Sequence, residues 1–199
     1  MLVPTATEGF QRGRKLDKIG CKAQDTAELF FHDMRVPVGS LLGEEDRGFA
    51  YLMGELAQER LVQAVRAVAS AVAAIGWTVE YASDRTMYGH TLADFQNTRF
   101  TLAQLHSEVG AMRVYIDECI RLHVDGDLDA IEAAKAKMVS TQLQGRVMDE
   151  CLQLFGGWGY MSEYPIAGAF VDARMSRIGG GSIEVMKHII GRDLFAGRR

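Results

Sequence analysis

The sequence predicts a mainly α-helical fold: a C-terminal four-helix up-and-down bundle, preceded by a few β-strands from an incomplete β-domain. Up to about residue 40 the chain is rich in β-forming residues and is punctuated by glycines. From Gly48 onward, apolar residues instead recur with a helical period. Short connections between long helices favour antiparallel neighbours, which is the arrangement of a bundle.

The first predicted domain covers residues 1–40 and contains two or three strands. Residues 26–37 alternate in part between apolar and polar side chains. Isolated hairpins are marginal in water, because so few strands cannot bury both faces of a sheet. These strands are therefore expected to need partners from elsewhere.

The second predicted domain covers residues 41–199. Candidate helices span 48–82, 92–124, 128–155, 166–174 and 183–194. The glycines of Asp125-Gly126-Asp127 and of Gly156-Gly157-Trp158-Gly159 end the second and third helices. In the first helix, the residues predicted to face the core are Leu61, Val65, Val68, Val72, Ile75 and Val79.

Composition excludes several classes of function. The 199 residues are 48% apolar and 24% charged, as in an ordinary globular protein, and the net charge of −4 without a basic block argues against nucleic acid. The first residues lack the features of a signal peptide. Apolar runs are far shorter than the roughly 20 residues that span a bilayer, so neither a transmembrane segment nor a membrane partner is expected. Three widely spaced cysteines indicate reduced thiols in a cytoplasmic compartment. The histidines do not form a zinc-ligand pattern, so no metal is expected.

Two stretches carry candidate chemistry. Glu55 and Glu59 lie one helical turn apart, and like charges at that spacing raise proton affinity, so such a carboxylate could serve as a base. A solvated or ion-paired helix glutamate is the alternative. Gly179-Gly180-Gly181-Ser182 precedes the last helix with Ser182 as the N-cap, and such a loop either grips an oxyanion or phosphate or is a plain turn.

Two further features stay open. Residues 153–160 either end a helix with aromatics that fill a core, or offer a backbone without Cβ atoms for close approach to a ligand. Arg85 is either part of a charged helix end or a bidentate phosphate ligand.

Together the motifs resemble the acyl-CoA dehydrogenase family, closest to its long-chain type, over essentially the whole chain. The motifs, in the order and spacing of that family, are Gly13-Arg14-Lys15-Leu16, residues 23–29, residues 41–44, Gly48-Phe49, Gln58-Glu59-Arg60, Arg85-x-x-Tyr88-Gly89, Phe95-Gln96, Gln153-x-x-Gly156-Gly157-x-Gly159-Tyr160 and Arg174-x-x-x-Ile178-x-Gly180-Gly181-Ser182. The resemblance is to the second half of such an enzyme, which carries a central β-domain and a C-terminal four-helix domain. The chain is therefore expected to start inside the β-domain.

The resemblance implies FAD-dependent α,β-dehydrogenation of fatty acyl-CoA to trans-2-enoyl-CoA. Many members place the base just before the Gly-Thr or Gly-Ser of the last loop, where this chain has Gly180. Long-chain and isovaleryl-type members place it at the position that matches Glu59. The resemblance thus implies Glu59 as the base, in a dry pocket, with the Gly180 N–H donating to the thioester carbonyl. A non-catalytic oligomerisation module and an acyl-CoA oxidase are the alternatives.

The resemblance also implies cofactor and substrate contacts. The residues expected to contact FAD, in part that of a neighbouring subunit, are Arg85, Gln96, Gln153, Gly156, Gly157, Ser182 and Glu184. Arg60 is expected either to position the substrate or to form a structural ion pair, and Gly179 to enlarge the acyl pocket. The implied partners are an acyl-CoA substrate, an electron-transfer flavoprotein and further copies of the chain in a dimer or tetramer. A eukaryotic member would lie in the mitochondrial matrix.

Overall fold

The structure, a computed structural model, describes residues 1–196 as two compact units. One unit is Met1–Glu55, and the other is Leu56–Arg199, whose last three residues lie outside the described part.

The first unit contains an antiparallel ribbon. Strand β1 (Phe10–Lys15) pairs with strand β2 (Ala27–Phe31), and Phe10 lies opposite Phe31 with ring centroids 5.5 Å apart. Every residue of β2 is exposed, because a two-stranded ribbon has no second layer to cover its faces. The predicted strands are confirmed.

Within residues 1–196, five helices follow at nearly the predicted positions. They are α1 (Gly48–Asp84), α2 (Gln96–Asp125), α3 (Ala130–Phe155), α4 (Pro165–Ser176) and α5 (Ile183–Leu194). Between α1 and α2, strands β3 (Thr86–Met87) and β4 (His90–Thr91) form a minimal hairpin. Its two loop residues, Tyr88 and Gly89, both have positive φ, as a tight hairpin turn requires.

Two helix starts differ from the prediction because local side chains cap them. The backbone N–H and the hydroxyl of Thr91 both donate to Asp94, at 3.0 and 2.9 Å, which encloses a 3₁₀ turn. Extended backbone at Phe95 then separates this turn from α2, so that Gln96 is the first residue of the helix. Helix α3 begins after Asp129, whose carboxylate accepts from the N–H groups of the first turn at 2.8 and 2.7 Å.

Helices α1 to α4 share one apolar core, while α5 packs on α3 and buries Ile183 and Met186. The predicted core stripe of α1 is half wrong. Its buried members are Leu61, Val68 and Ile75, and its exposed members are Val65, Val72 and Val79. The buried face of α1 is completed by small residues, namely Ala64, Ala67, Ala71 and Ala74. The prediction was wrong because it gave large apolar side chains more weight than alanine.

A buried polar network joins three helices. The Gln144 amide on α3 donates to the Ser70 hydroxyl on α1 at 2.7 Å, and the Ser176 hydroxyl on α4 donates to Gln144 at 2.7 Å. Buried polar groups of this kind stabilise only when they are paired, and both ends of the Gln144 amide are. The network therefore fixes the register of α1, α3 and α4.

Helix α1 is long and apolar enough to cross a membrane by length and composition alone. This property was not predicted from the sequence, because the prediction relied on uninterrupted apolar runs. The mean hydropathy of the helix is raised by alanines that are interspersed with polar residues. A core helix of a bundle meets the same criterion, and Leu61, Val68 and Ile75 of α1 do lie in the shared core.

Candidate functional site

A glycine loop between α4 and α5 forms one side of the candidate site. We call residues 179–182 the glycine loop. Gly180 and Gly181 have φ of +63° and +97°, a conformation that glycine adopts without the steric cost that a Cβ brings. The loop is anchored at its ends: the Gly179 N–H donates to Met175 O at 2.9 Å, and the Ile183 N–H donates to Arg177 O at 3.3 Å.

The carboxylate of Glu59 on α1 lies against this loop. A Cβ placed on Gly180 would be 3.0 Å from Glu59 Oε1 and 3.6 Å from its Cδ. The structure thus brings together the two residues that the resemblance pairs as base and amide donor. Glu59 is exposed in this chain, so the described residues do not form the dry pocket expected around a base. Removal of water from Glu59 would require a further group, such as a bound ligand, to cover its carboxylate.

Lys137 on α3 is a site residue that the sequence analysis missed. Its side chain is fully buried, and its ammonium donates to the carbonyl of Gly181. Burial lowers the pKa of Lys137, the neighbouring Arg60 lowers it further, and Glu59 opposes both effects. One signal was available: Lys137 shares the inward face of α3 with Ala133, Ser140 and other small or buried residues.

Arg60 is a second buried cation beside Glu59, with 5% of its surface exposed. Its Nη1 reaches Ala130 O at 3.5 Å, whereas its Nε has no hydrogen-bond partner in the described residues. Burial lowers the pKa of Arg60, and Glu59 raises it. Two buried cations next to one carboxylate leave an excess of positive charge, which suits a ligand that carries or develops negative charge.

The remaining loop residues have local roles. A Cβ on Gly179 would lie 3.0 Å from Met175 Cε, so this methionine borders the space that a larger side chain at 179 would take. Ser182 is the N-cap residue of α5 by position, but its hydroxyl does not cap the helix. It is hydrogen-bonded to Glu184 instead, and this bond lowers the pKa of Glu184.

A separate cavity of about 810 Å³ is lined by several of the residues that the resemblance assigns to FAD. Arg85, Gln153, Gly156 and Gly157 line it together with apolar side chains. A Cβ on Gly156 or Gly157 would meet nothing within 4 Å, so these two glycines leave open space. Gln96 lies outside this lining, although its neighbours in the sequence contribute to it.

Residues 153–160 divide into a packed part and a part that borders the cavity. Phe155 is buried, and its ring stacks on Tyr81 with centroids 4.2 Å apart. The Tyr81 hydroxyl donates to Phe155 O at 3.2 Å. Gly156 and Gly157 face the cavity instead. Within residues 1–196, the structure contains no cluster of three or more acidic, histidine or cysteine side chains that could hold a metal.

A family model, acyl-CoA dehydrogenase C-terminal domain, matches residues 46–195. The chain belongs to the acyl-CoA dehydrogenase family. The family predicted from the sequence motifs is thereby confirmed. Among curated members, the chain is 48% identical to the mitochondrial long-chain specific acyl-CoA dehydrogenase of Sus scrofa, over 97% of this chain and 45% of the relative. It is 36% identical to the short-chain specific acyl-CoA dehydrogenase of Megasphaera elsdenii, over 97% of this chain and 50% of the relative.

Solved acyl-CoA dehydrogenase structures share the fold. That of Geobacillus kaustophilus superposes with a TM-score of 0.93 at 45% identity, covering 96% of this chain and 50% of that one. The butyryl-CoA dehydrogenase of Megasphaera elsdenii gives 0.91 at 36% identity, with the same coverage. The predicted fold, a helical C-terminal region preceded by a few strands, is confirmed. The chain spans about half the length of the relatives it matches.

Proposed function

We propose that this chain is the C-terminal region of an FAD-dependent acyl-CoA dehydrogenase, in which Glu59 is the catalytic base. The observation that carries the proposal is the position of the Glu59 carboxylate, whose Oε1 would lie 3.0 Å from a Cβ placed on Gly180. A carboxylate at this place lies beside the loop whose backbone N–H can bind a thioester oxygen.

The chain's residues divide the proposed chemistry. Glu59 removes the α-proton of the acyl-CoA, and the Gly180 N–H donates to the thioester carbonyl as negative charge develops on its oxygen. The buried cations Arg60 and Lys137 add a positive potential that favours this charge. Closure of the site by the bound substrate would remove water from the exposed carboxylate of Glu59.

The second cavity fits part of a dinucleotide cofactor. Arg85 offers a guanidinium for a diphosphate, Gln153 offers an amide, and the open backbone of Gly156 and Gly157 permits close approach. We assign these residues and Gln96 to FAD of a neighbouring subunit, and Ser182 and Glu184 to FAD at the glycine loop. FAD held by these residues would supply the acceptor for the β-hydrogen of the substrate, which leaves as a hydride. Sharing of FAD between subunits requires a dimer or tetramer.

The relatives support the finer assignments. Similarity to the mitochondrial long-chain specific enzyme of Sus scrofa favours a long-chain acyl-CoA, and it favours the mitochondrial matrix if this chain is eukaryotic. A solved structure described as the electron transferring flavoprotein of Acidaminococcus fermentans shares the fold, with a TM-score of 0.91 at 31% identity. We propose such a flavoprotein as the electron acceptor. Space near Gly179, bordered by Met175, belongs to the acyl pocket in this proposal.

The test is an anaerobic titration of the full-length gene product with a long-chain acyl-CoA, followed by flavin absorbance. Bleaching is expected in the parent and in Glu55→Gln, a control one helical turn away, but not in Glu59→Gln. All three proteins should retain flavin. Bleaching in Glu59→Gln at the parent's rate would refute the base assignment. Absence of flavin from the parent would favour a non-catalytic module, and rapid reoxidation in air would favour an oxidase.

A further inference from the structure

We propose that Lys137 is a positioning residue, which holds the glycine loop in the conformation that places Gly180 against Glu59. The proposal rests on the proposed function, in which these two residues act on the same substrate. Lys137 itself needs no contact with substrate or cofactor. It acts through the carbonyl of Gly181, one residue beyond the amide donor.

A buried lysine needs a compensating partner. Lysine is among the residues least often buried, because removal of an ammonium from water is costly unless hydrogen bonds or opposite charges replace the water. Lys137 is 0% exposed, and it lies on the middle of α3 among Ala134, Ala136 and Ser140. Its ammonium donates to Gly181 O. The hydrogen bond to Gly181 O thus offsets part of the free-energy cost of burying the Lys137 ammonium.

The loop needs such an anchor. Gly180 and Gly181 lack side chains, and consecutive glycines have access to more backbone conformations than any other residue pair. A charge-assisted bond to Gly181 O selects the conformation in which both residues have positive φ. Since Gly180 is adjacent in the chain, fixing the Gly181 carbonyl also restricts the place where Gly180 meets the carboxylate of Glu59.

Lys137 also lies close to Glu59. The Lys137 Cε would be 3.9 Å from a Cβ on Gly180, and Glu59 Oε1 would be 3.0 Å from the same point. The ammonium and the carboxylate therefore approach Gly180 from two helices, α3 and α1. Attraction between the two charges draws Glu59 toward the loop. Arg60, the other charged group facing Lys137, repels it and adds no anchor for the loop.

The test compares three variants of the full-length gene product. Lys137→Met keeps the length of the side chain and removes both charge and donor. Lys137→Gln keeps an N–H donor without the charge. Lys135→Met makes the same change on the same helix at a half-exposed lysine that pairs with Glu132 at 3.0 Å. Each variant is assayed for kcat per bound flavin, KM for a long-chain acyl-CoA, melting temperature and hydrogen–deuterium exchange of the peptide covering the glycine loop.

Loss of a charge-assisted hydrogen bond predicts a fall in kcat of about 10- to 100-fold for Lys137→Met, with KM nearly unchanged. Lys137→Gln should retain more of kcat than Lys137→Met, and Lys135→Met should match the parent. Exchange in the glycine loop should rise in Lys137→Met alone. A merely structural lysine would instead lower the melting temperature while leaving kcat per flavin intact.

The outcomes separate this inference from the proposed function. If the parent does not oxidise acyl-CoA, the proposed function fails, and loop exchange still tests the bond between Lys137 and Gly181. If the parent is active and Lys137→Met matches Lys135→Met in kcat, the positioning role is overturned. Equal losses in Lys137→Met and Lys137→Gln would overturn the role of the hydrogen bond. If Lys137→Met does not fold, the comparison of Lys137→Gln with the parent decides.

Discussion

The sharpest test of the site geometry is Gly180→Ala. An alanine at φ of +63° costs about 1–2 kcal/mol of backbone strain. Its Cβ would also lie 3.0 Å from Glu59 Oε1, which is tighter than nine in ten real Cβ contacts. The carboxylate is the far end of a flexible side chain, so it can move by a few tenths of an ångström at little cost to stability. The loss of stability should therefore be mainly the backbone strain, whereas the position of the base changes.

Gly126→Ala is the matched control. Gly126 has φ of +83°, so alanine there is similarly strained, but its Cβ would meet nothing within 4 Å. We expect both variants to lose about 1–2 kcal/mol of unfolding free energy in urea titrations. Only Gly180→Ala should lose activity, by about 10- to 100-fold, because small displacements of a catalytic group are expensive in rate. Flavin content is measured alongside to separate loss of chemistry from loss of cofactor.

Two results would contradict this reasoning. Full activity in Gly180→Ala would show that the carboxylate of Glu59 does not need its observed position, and would count against its role as the base. Equal loss of activity in Gly126→Ala would show that backbone strain elsewhere in the bundle is enough to reduce activity. The contact with Glu59 would then not be needed to explain the loss in Gly180→Ala.

Two further predictions concern stability. Gln144→Leu should lower the free energy of unfolding by about 1–3 kcal/mol, because the Ser70 hydroxyl loses the buried donor that lies 2.7 Å away. Gln142→Leu, on the exposed face of the same helix, should leave the free energy of unfolding nearly unchanged. Urea titration of both variants measures the difference. The Tyr115 hydroxyl donates to Glu132 at 2.5 Å, and this hydrogen bond lowers the pKa of Glu132. The resulting stabilisation is present above the pKa that Glu132 has in the unfolded chain. It is lost as the pH falls through the lower pKa that Glu132 has in the folded protein. Tyr115→Phe should therefore destabilise the protein more near neutral pH than in acid, and a pH-independent effect would refute the assignment.

Much of the fold follows from the sequence because its signals are local. Helical periodicity and the glycines at 126 and 156 place all five helices, since a positive-φ residue ends a helix wherever it occurs. The caps at Asp129 and Thr91 shift two helix starts, because a side-chain acceptor decides where the first turn begins. The buried face of α1 was mispredicted, since alanine is apolar but contributes weakly to a periodic pattern.

The site is harder to predict because its contacts are distant in sequence. Glu59 and Gly180 lie on elements far apart in the chain, and only the resemblance to a family paired them. Lys137 was missed because lysine is rarely buried, and the small residues that share its face of α3 were too weak a signal to outweigh that tendency. Its burial becomes visible only when α3 is packed against α5 and the glycine loop.

The geometry bears on the two positions at which the resemblance allows a catalytic base, residue 59 and residue 180. A Cβ on residue 180 would lie 3.0 Å from the Oε1 of Glu59, so a side chain at 180 would press against the carboxylate of a glutamate at 59. A chain with a glutamate in the loop would also have to accommodate its Cβ at φ of +63°, or change the loop conformation. Gly180 removes both conflicts and leaves Lys137 free to anchor the next carbonyl. We therefore expect Glu59→Gly combined with Gly180→Glu to recover little activity unless the glycine loop rearranges.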